Sequence, residues 1–166
     1  ITLGESCNVR TGQSSEDLVI LSVGDFPYIN AGIEASGYVS DKNTEAETIT
    51  IPSRGQGGAG HVGYQKNDFW CGPLCYRIQS NGKGLLTKYI YYYLKNIQEA
   101  IVRLRQTGSI PAVNRKELVQ IKIPVPSLEE QERIVTILDK FDALVNDISI
   151  GLPAELSARR SQYEYY

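Results

Sequence analysis

The sequence predicts an α+β fold, with a β-rich body over residues 1–126 and a C-terminal α-helical hairpin over residues 127–166. Three observations predict it. Up to about residue 80, short β-favouring segments alternate with glycine-containing loops. Residues 85–105 and 127–149 carry apolar side chains at three- and four-residue steps, which is typical of helices. A length of 166 residues suits one domain, or one domain with an appendage.

The β-rich body is expected to be compact and curled. Its β-favouring segments are residues 19–23, 48–51, 61–65 and 74–78. Glycine-rich loops separate them, and the densest of these loops runs from residue 53 to residue 63. This spacing predicts short strands joined by long, irregular connections.

The helix predicted over residues 85–105 should end at Gly108, with Pro111 following it. Beyond it, Asn114 is a candidate cap for one helical turn, and residues 119–125 read as a strand closed by Pro124 and Pro126. The body therefore ends with a short strand directly before the C-terminal helices.

The C-terminal helices begin at a capping box, in which the Ser127 hydroxyl accepts the Glu130 amide. The helix predicted over residues 127–149 would be about 34 Å long. Its apolar positions repeat as two heptads, with the 3-4-3-4 spacing of a coiled coil. Pro153 should break it and start a second helix over residues 154–166, which looks truncated at its C-terminus. We predict a subunit or dimer interface along both helices, at Ile134, Ile137, Leu138, Phe141, Leu144, Val145, Ile148, Leu156 and Tyr163.

Composition indicates a soluble globular protein, with 42% hydrophobic and 22% charged residues. No apolar run reaches the roughly 18–20 residues that cross a bilayer, and the N-terminus does not read as a signal peptide. Because the chain has no methionine, we expect a processed or excised piece. Three cysteines favour a reducing cytoplasm over a disulfide scaffold, and a zinc site built from Cys7, Cys71, Cys75 and His61 is the weaker alternative.

Charge is concentrated in the middle of the chain. The whole chain has a formal net charge of −2, yet residues 77–122 hold nine cations and two anions, a net charge of +7. Such a block is typical of a surface that binds a polyanion, although its cations could instead pair with the acidic flanks. Arg and Gln in the loop of residues 54–63 match guanine and adenine edges. The candidate DNA contacts are Arg54, Gln56, His61, Lys83, Lys88, Arg103, Arg105, Asn114, Arg115 and Lys116.

The sequence gives little support for a catalytic site or a cofactor site. Residues 55–60 fit the letters of a dinucleotide fingerprint, but a strand pattern follows them and no acidic residue stands about twenty residues later. His61 is the one imidazole, and no nucleophile elbow accompanies it. No nuclease carboxylate pattern or Pro-Pro methylase motif occurs. We therefore expect no catalytic residue, no metal and no cofactor.

Several segments resemble the specificity subunits of type I restriction-modification enzymes. They include residues 110–118 (IPAVNRKEL), and the most specific part is the stretch 121–166, with residues 121–126 (IKIPVP), 130–135 (EQERIV), 137–142 (ILDKFD) and 151–166. Residues 2–5 (TLGE), 27–30 (PYIN) and 50–55 (TIPSRG) match at scattered positions of the front. The resemblance covers nearly the whole chain.

This resemblance implies a non-catalytic DNA-reading subunit in a prokaryotic cytoplasm. Residues 1–126 would be a target recognition domain, similar in fold to that of adenine-specific DNA methyltransferases, which reads one half of a bipartite sequence. Residues 127–166 would be the conserved helical spacer that sets the distance between two readers and docks methyltransferase subunits. A restriction subunit would join the complex, and the second reader would come from another recognition domain or a homodimer.

Two other functions stay open from sequence. The chain could be a protein-interaction module that acts through its C-terminal coiled-coil helices, with the β body as a scaffold. It could also be a small enzyme that uses His61. Individual contacts have simpler readings too, since Asn114 could only cap a helix, Arg103 could pair with Glu99, and His61 could be a strand residue.

Overall fold

The structure, a computed structural model, describes residues 1–106, 108 and 110–164, without the side chains of residues 148–150, 153–154, 156–159, 161 and 163–164. Seven strands and five helices follow one another in the described chain. They are α1 (Leu3–Ser6), β1 (Cys7–Thr11), β2 (Phe26–Ile29), β3 (Tyr38–Val39), β4 (Thr48–Pro52), β5 (Gly63–Gln65), β6 (Trp70–Cys71), β7 (Cys75–Ser80), α2 (Thr87–Asn96), α3 (Gln98–Arg103), α4 (Arg115–Leu118) and α5 (Leu128–Glu164). The predicted α+β class is confirmed.

The central sheet has four antiparallel strands in the order β1-β7-β4-β5. Alternation along the strands gives it one apolar and one polar face. Val9, Ile49 and Ile78 lie on the buried face. Thr48 and Thr50 lie on the other face of β4, where they accept hydrogen bonds from Gln79 and Gln65 at 2.6 and 3.1 Å.

Helix α2 covers the apolar face of this sheet. Its Ile90 and Leu94 are fully buried and join Ile49, Ile51 and Ile78 in the main core. A second sheet, in the order β3-β2-β6, packs beside the first around a small cluster that includes Phe69. The core thus lies between the central sheet and the helices that follow it.

Three local predictions differ from the structure. Residues 19–23 do not form a strand, because Leu21 alone pairs with Tyr38 and its neighbours stay exposed. The helix of residues 85–105 is divided at Ile97, whose backbone (φ −98°, ψ 15°) ends α2 before α3 begins. Residues 119–125 make one antiparallel bridge, between Lys122 and Thr2, because the partner segment becomes helical at Leu3, whose amide still donates to the Ile121 carbonyl at 2.8 Å.

The predicted helical hairpin is wrong, because α5 continues as one helix through Gly151 and Pro153. A proline removes one intrahelical hydrogen bond, which breaks a helix most readily where water cannot reach the freed carbonyl. Here Gly151 and Leu152 are exposed, so hydration can satisfy that carbonyl. The result is a rod of 37 residues, about 55 Å long. None of the helices over the described residues is long and apolar enough to span a membrane.

One buried side chain joins the start of α5 to the body. Gln131 is fully buried, and its amide oxygen accepts the Leu86 amide at 2.9 Å. Its amide nitrogen donates to the carbonyls of Gly84 at 2.8 Å and Pro126 at 2.9 Å. Ile134 and Val135, on the next turn, pack against the main core. The base of the helix is therefore fixed to the body by both polar and apolar contacts.

Replacing Gln131 by leucine is expected to lower the free energy of unfolding by about 2–4 kcal/mol, because three backbone groups lose a buried partner. Glu132→Leu is the matched control, since Glu132 is exposed one residue along, and its effect should stay within about 0.5 kcal/mol. Urea unfolding of both variants measures the difference. Equal stability of the two variants would contradict this assignment.

Candidate nucleic-acid interface

Three backbone segments bring several predicted contacts together. Arg54 and Gln106 each form an antiparallel bridge with Ala112, and the Val113 amide donates to the Ser53 carbonyl at 2.8 Å. These segments and the residues directly beside them carry four cations, which we call the basic cluster: Arg54, Arg105, Arg115 and Lys116. All but the half-buried Arg105 are exposed.

The basic cluster is fixed to the body at two points. The buried Tyr76 hydroxyl donates to the Val113 carbonyl at 2.9 Å, and Arg115 Nε donates to the Val9 carbonyl at 3.1 Å. Burial raises the pKa of Tyr76, and the nearby charges of Arg115 and Arg54 oppose that rise. Both guanidinium groups thus lie near one phenol, although 61 residues separate them in the chain.

Asn114 has the position of an N-cap residue at the start of α4, but its side chain makes no capping hydrogen bond. It is exposed beside Arg115. The reading of Asn114 as only a helix cap is therefore not supported. Within the described part of the chain, its side-chain amide has no hydrogen-bond partner.

The glycine-rich loop packs against its own chain. A Cβ at Gly58 would lie 2.1 Å from the Ala31 carbonyl oxygen, and a Cβ at Gly60 (φ +83°) would approach Val102 at 3.2 Å. These glycines serve a tight connection, and the dinucleotide alternative gains no support from them. Gln56 remains exposed at the loop, next to Gly57, where an added Cβ would contact none of the described residues beyond its chain neighbours.

His61 lies beside Lys95 rather than beside a nucleophile. Burial lowers the pKa of His61, and the Lys95 charge lowers it further, which favours a neutral imidazole. Lys95 Nζ donates to the Val62 carbonyl at 3.2 Å and to Gln98 Oε1 at 3.1 Å. His61 itself is half-buried.

Lys88 is engaged inside the protein. Its ammonium lies 4.2 Å from the centre of the Tyr64 ring and 3.5 Å from an Asp139 carboxylate oxygen of α5. Tyr92 donates to the same carboxylate, and burial together with Asp139 raises the pKa of the Tyr92 phenol. With only 20% of its side chain exposed, Lys88 connects α2 to α5 and is not part of the basic cluster.

The remaining predicted contacts are separate. Lys83 lies in an exposed turn, where its charge acts on Glu5. Arg103 forms the i,i+4 ion pair with Glu99 that the sequence suggested, at 3.8 Å, with both side chains more than 80% exposed. Such an exposed pair holds Arg103 only weakly.

A polar cleft was missed by sequence reasoning. It lies on the polar face of the central sheet, where Asn8 opposes Gln79 and Arg10 opposes Arg77. Residues of the loop before β4 form its other wall, and the cavity measures about 320 Å³. The signal was present in β1, where buried Cys7 and Val9 alternate with exposed Asn8 and Arg10.

The predicted interface positions of α5 divide into two groups. Ile134 and Leu138 are half-buried, and Ile134 packs on the body's core. The apolar stripe, defined as Ile137, Phe141, Leu144 and Val145, is 41–61% exposed. The side chains of Ile148, Leu156 and Tyr163 lie outside the described residues.

Among the residues that the structure describes, no three His, Cys, Asp or Glu side chains lie close enough together to hold a metal ion. Cys7, Cys71 and Cys75 are free and buried. Cys75 lies in the small core cluster with Phe69. The zinc alternative is therefore not supported.

Most of this chain matches a known protein family. The model of the type I restriction modification DNA specificity domain matches residues 1–158. The EcoR124I/EcoR124II specificity subunit of Escherichia coli is 46% identical over 86 residues, which cover 51% of this chain and 21% of that protein. The MpnII specificity subunit of Mycoplasma pneumoniae is 30% identical over 164 residues, covering 96% of this chain and 48% of that protein.

A solved structure shares the fold. The S subunit of a type I restriction-modification system from M. genitalium superposes with a TM-score of 0.78 at 26% identity, over 90% of this chain and 40% of that one. The chain thus spans about half the length of the Mycoplasma pneumoniae relative and less than half of the other two proteins.

Proposed function

This chain belongs to the family of type I restriction-modification specificity subunits, and from that membership we propose that it reads one half of a bipartite DNA target and catalyses no reaction itself. The proposal divides the chain into a target recognition domain, residues 1–126, and a helical spacer, residues 127–166. It also locates the protein in a prokaryotic cytoplasm, where the target DNA lies.

The basic cluster is the observation that carries this proposal. Its three exposed cations, Arg54, Arg115 and Lys116, come from distant parts of an acidic chain. Guanidinium and ammonium groups on such a surface suit phosphate oxygens, which position a protein on DNA without specifying the sequence. Gln56 and Asn114 lie next to these cations along the chain and offer amide groups that suit adenine edges.

The apolar stripe of α5 supports the proposed partners. Four large apolar side chains at heptad spacing, each at least 41% exposed, are typical of a helix that packs against another chain. We propose that this helix meets the spacer of a second recognition domain, from the same protein or a twin, and docks methyltransferase subunits. A restriction subunit would join through that complex. A protein-interaction module without DNA binding is the alternative.

Mapping methylated bases in the host genome, with and without the gene that encodes this chain, tests the proposal. We expect deletion of the gene to abolish methylation at one bipartite motif with a fixed unread gap, while other motifs keep theirs. Restoring the gene should restore the motif. If no methylated motif depended on the gene, the proposal would fail and the interaction module would be favoured.

A further inference from the structure

The polar cleft contains two arginines at directly opposed strand positions. Arg10 and Arg77 are direct cross-strand partners in β1 and β7. Like charges in this position lower stability unless something negative lies between them. Arg10 has no hydrogen-bond or ion-pair partner in the described part of the chain, although it lines the cleft. It is therefore a guanidinium free to bind a ligand.

The rest of the cleft is held in place. Arg77 donates to the Asn43 carbonyl at 2.6 Å and to Thr44 Oγ1 at 2.9 Å, and Gln79 donates to Thr48 at 2.6 Å. The Asn43 side chain is bonded to the backbone of Cys71 in both directions, at 2.7 and 3.0 Å. A site built this way loses little conformational freedom when it binds.

The chemistry of the lining favours a base edge over a phosphate. Asn8, Gln79 and Glu45 line the cleft together with the two arginines, so it offers acceptors as well as donors. Glu45, which pairs with Lys42 at 3.3 Å, supplies acceptors, and the amides of Asn8 and Gln79 supply donors and acceptors, which is the mixture that the edges of bases present. The volume of about 320 Å³ lies at the low end of the roughly 300–1,000 Å³ of ligand clefts.

The cleft adjoins the basic cluster at β1. Arg115 donates to the carbonyl of Val9, the residue directly before Arg10. DNA whose phosphates contact Arg115 would therefore pass beside the strand that carries Arg10. Phosphate contact at Arg115 and base contact at Arg10 would then be made beside neighbouring residues of the edge strand β1.

We propose that the polar cleft reads one base pair of the target, with Arg10 donating two hydrogen bonds to the O6 and N7 atoms of a guanine. This inference rests on the proposed function and adds a specificity-determining residue to it. Arg77 acts as a positioning residue, because its own hydrogen bonds fix the wall beside that guanine.

The test selects bound sequences from randomised DNA duplexes with the complete protein, assembled with its methyltransferase subunits. The wild type, Arg10→Ala, Arg10→Lys and the control Arg133→Ala are compared; Arg133 is an exposed cation of α5 outside the cleft. We expect the wild type and the control to prefer guanine at one position by about 5- to 150-fold. Arg10→Ala should lose that preference at that position alone, and Arg10→Lys should retain only part of it.

Other outcomes separate the two proposals. If Arg10→Ala weakened binding equally for all sequences, with a salt slope lower by about one, Arg10 would be a phosphate contact and base reading would be wrong. An unchanged set of selected sequences would also overturn the inference and leave the proposed function standing. If the wild type selected no sequence at all, the proposed function would fail together with it.

Discussion

Replacing Arg54 and Arg115 together by glutamate is expected to weaken DNA binding of the complete protein by about 100-fold or more. Each guanidinium that contacts a phosphate makes a charge-assisted hydrogen bond worth roughly 1.5–3 kcal/mol, and every 1.4 kcal/mol changes an affinity tenfold. The affinity should also become less dependent on salt, with a slope of log affinity against log salt shallower by about 0.9 for each lost contact. Fluorescence anisotropy over a range of salt concentrations measures both effects.

A matched double variant separates the effect of where the charges lie from the effect of the change in net charge. Lys66→Glu with Lys140→Glu changes the net charge by the same amount, at exposed residues of the turn after β5 and of α5. We expect that pair to change affinity less than tenfold. Both double variants should stay folded, because Arg115 loses one hydrogen bond worth about 1 kcal/mol and Arg54 is exposed. If both double variants lost the same DNA affinity, the loss would come from the change in net charge and not from contacts made by the basic cluster.

Periodicity predicted the elements whose partners are close in the chain or whose burial is complete. The strands near residues 48–51 and 74–78 were found because their apolar runs face the main core. The two-residue strands β3 and β6 were not, since they depend on pairing with β2 from distant segments. Residues 19–23 failed for the opposite reason, because a β-favouring composition does not supply a neighbouring strand.

The candidate site was predicted as a set of residue types and not as an arrangement. The +7 block includes Arg105, Arg115 and Lys116 of the basic cluster, yet it also includes Lys88, which contacts Tyr64 and Asp139 inside the protein. Conversely, Arg10 lies in an acidic segment, and its role in the polar cleft depends on register with Arg77. Charge counting along a sequence cannot separate a cation that binds its own protein from one that remains free, since that depends on tertiary contacts.

Lengthening α5 by one heptad is expected to widen the unread gap between the two half-sequences by one to three base pairs. Duplicating residues 140–146 after Asn146 inserts seven residues beyond the contacts of Tyr92 with Asp139 and Asp142. It keeps the apolar stripe in phase, because seven residues fall about 20° short of two full turns. The helix gains about 10 Å, which corresponds to at most about three base pairs at 3.4 Å each.

The gap is read from the methylated motif in cells that carry the altered gene. Inserting the same seven residues after Lys66, in an exposed turn of the body, lengthens the chain without lengthening α5 and should leave the gap unchanged. The half-sequences themselves should be the same after the α5 insertion, since residues 140–146 lie outside the segments that carry the basic cluster and the polar cleft. Gln131 fixes the base of α5 to the body, so the insertion must move whatever the far end of the helix carries. If the gap kept its original width after the α5 insertion, α5 would not set the distance between the readers.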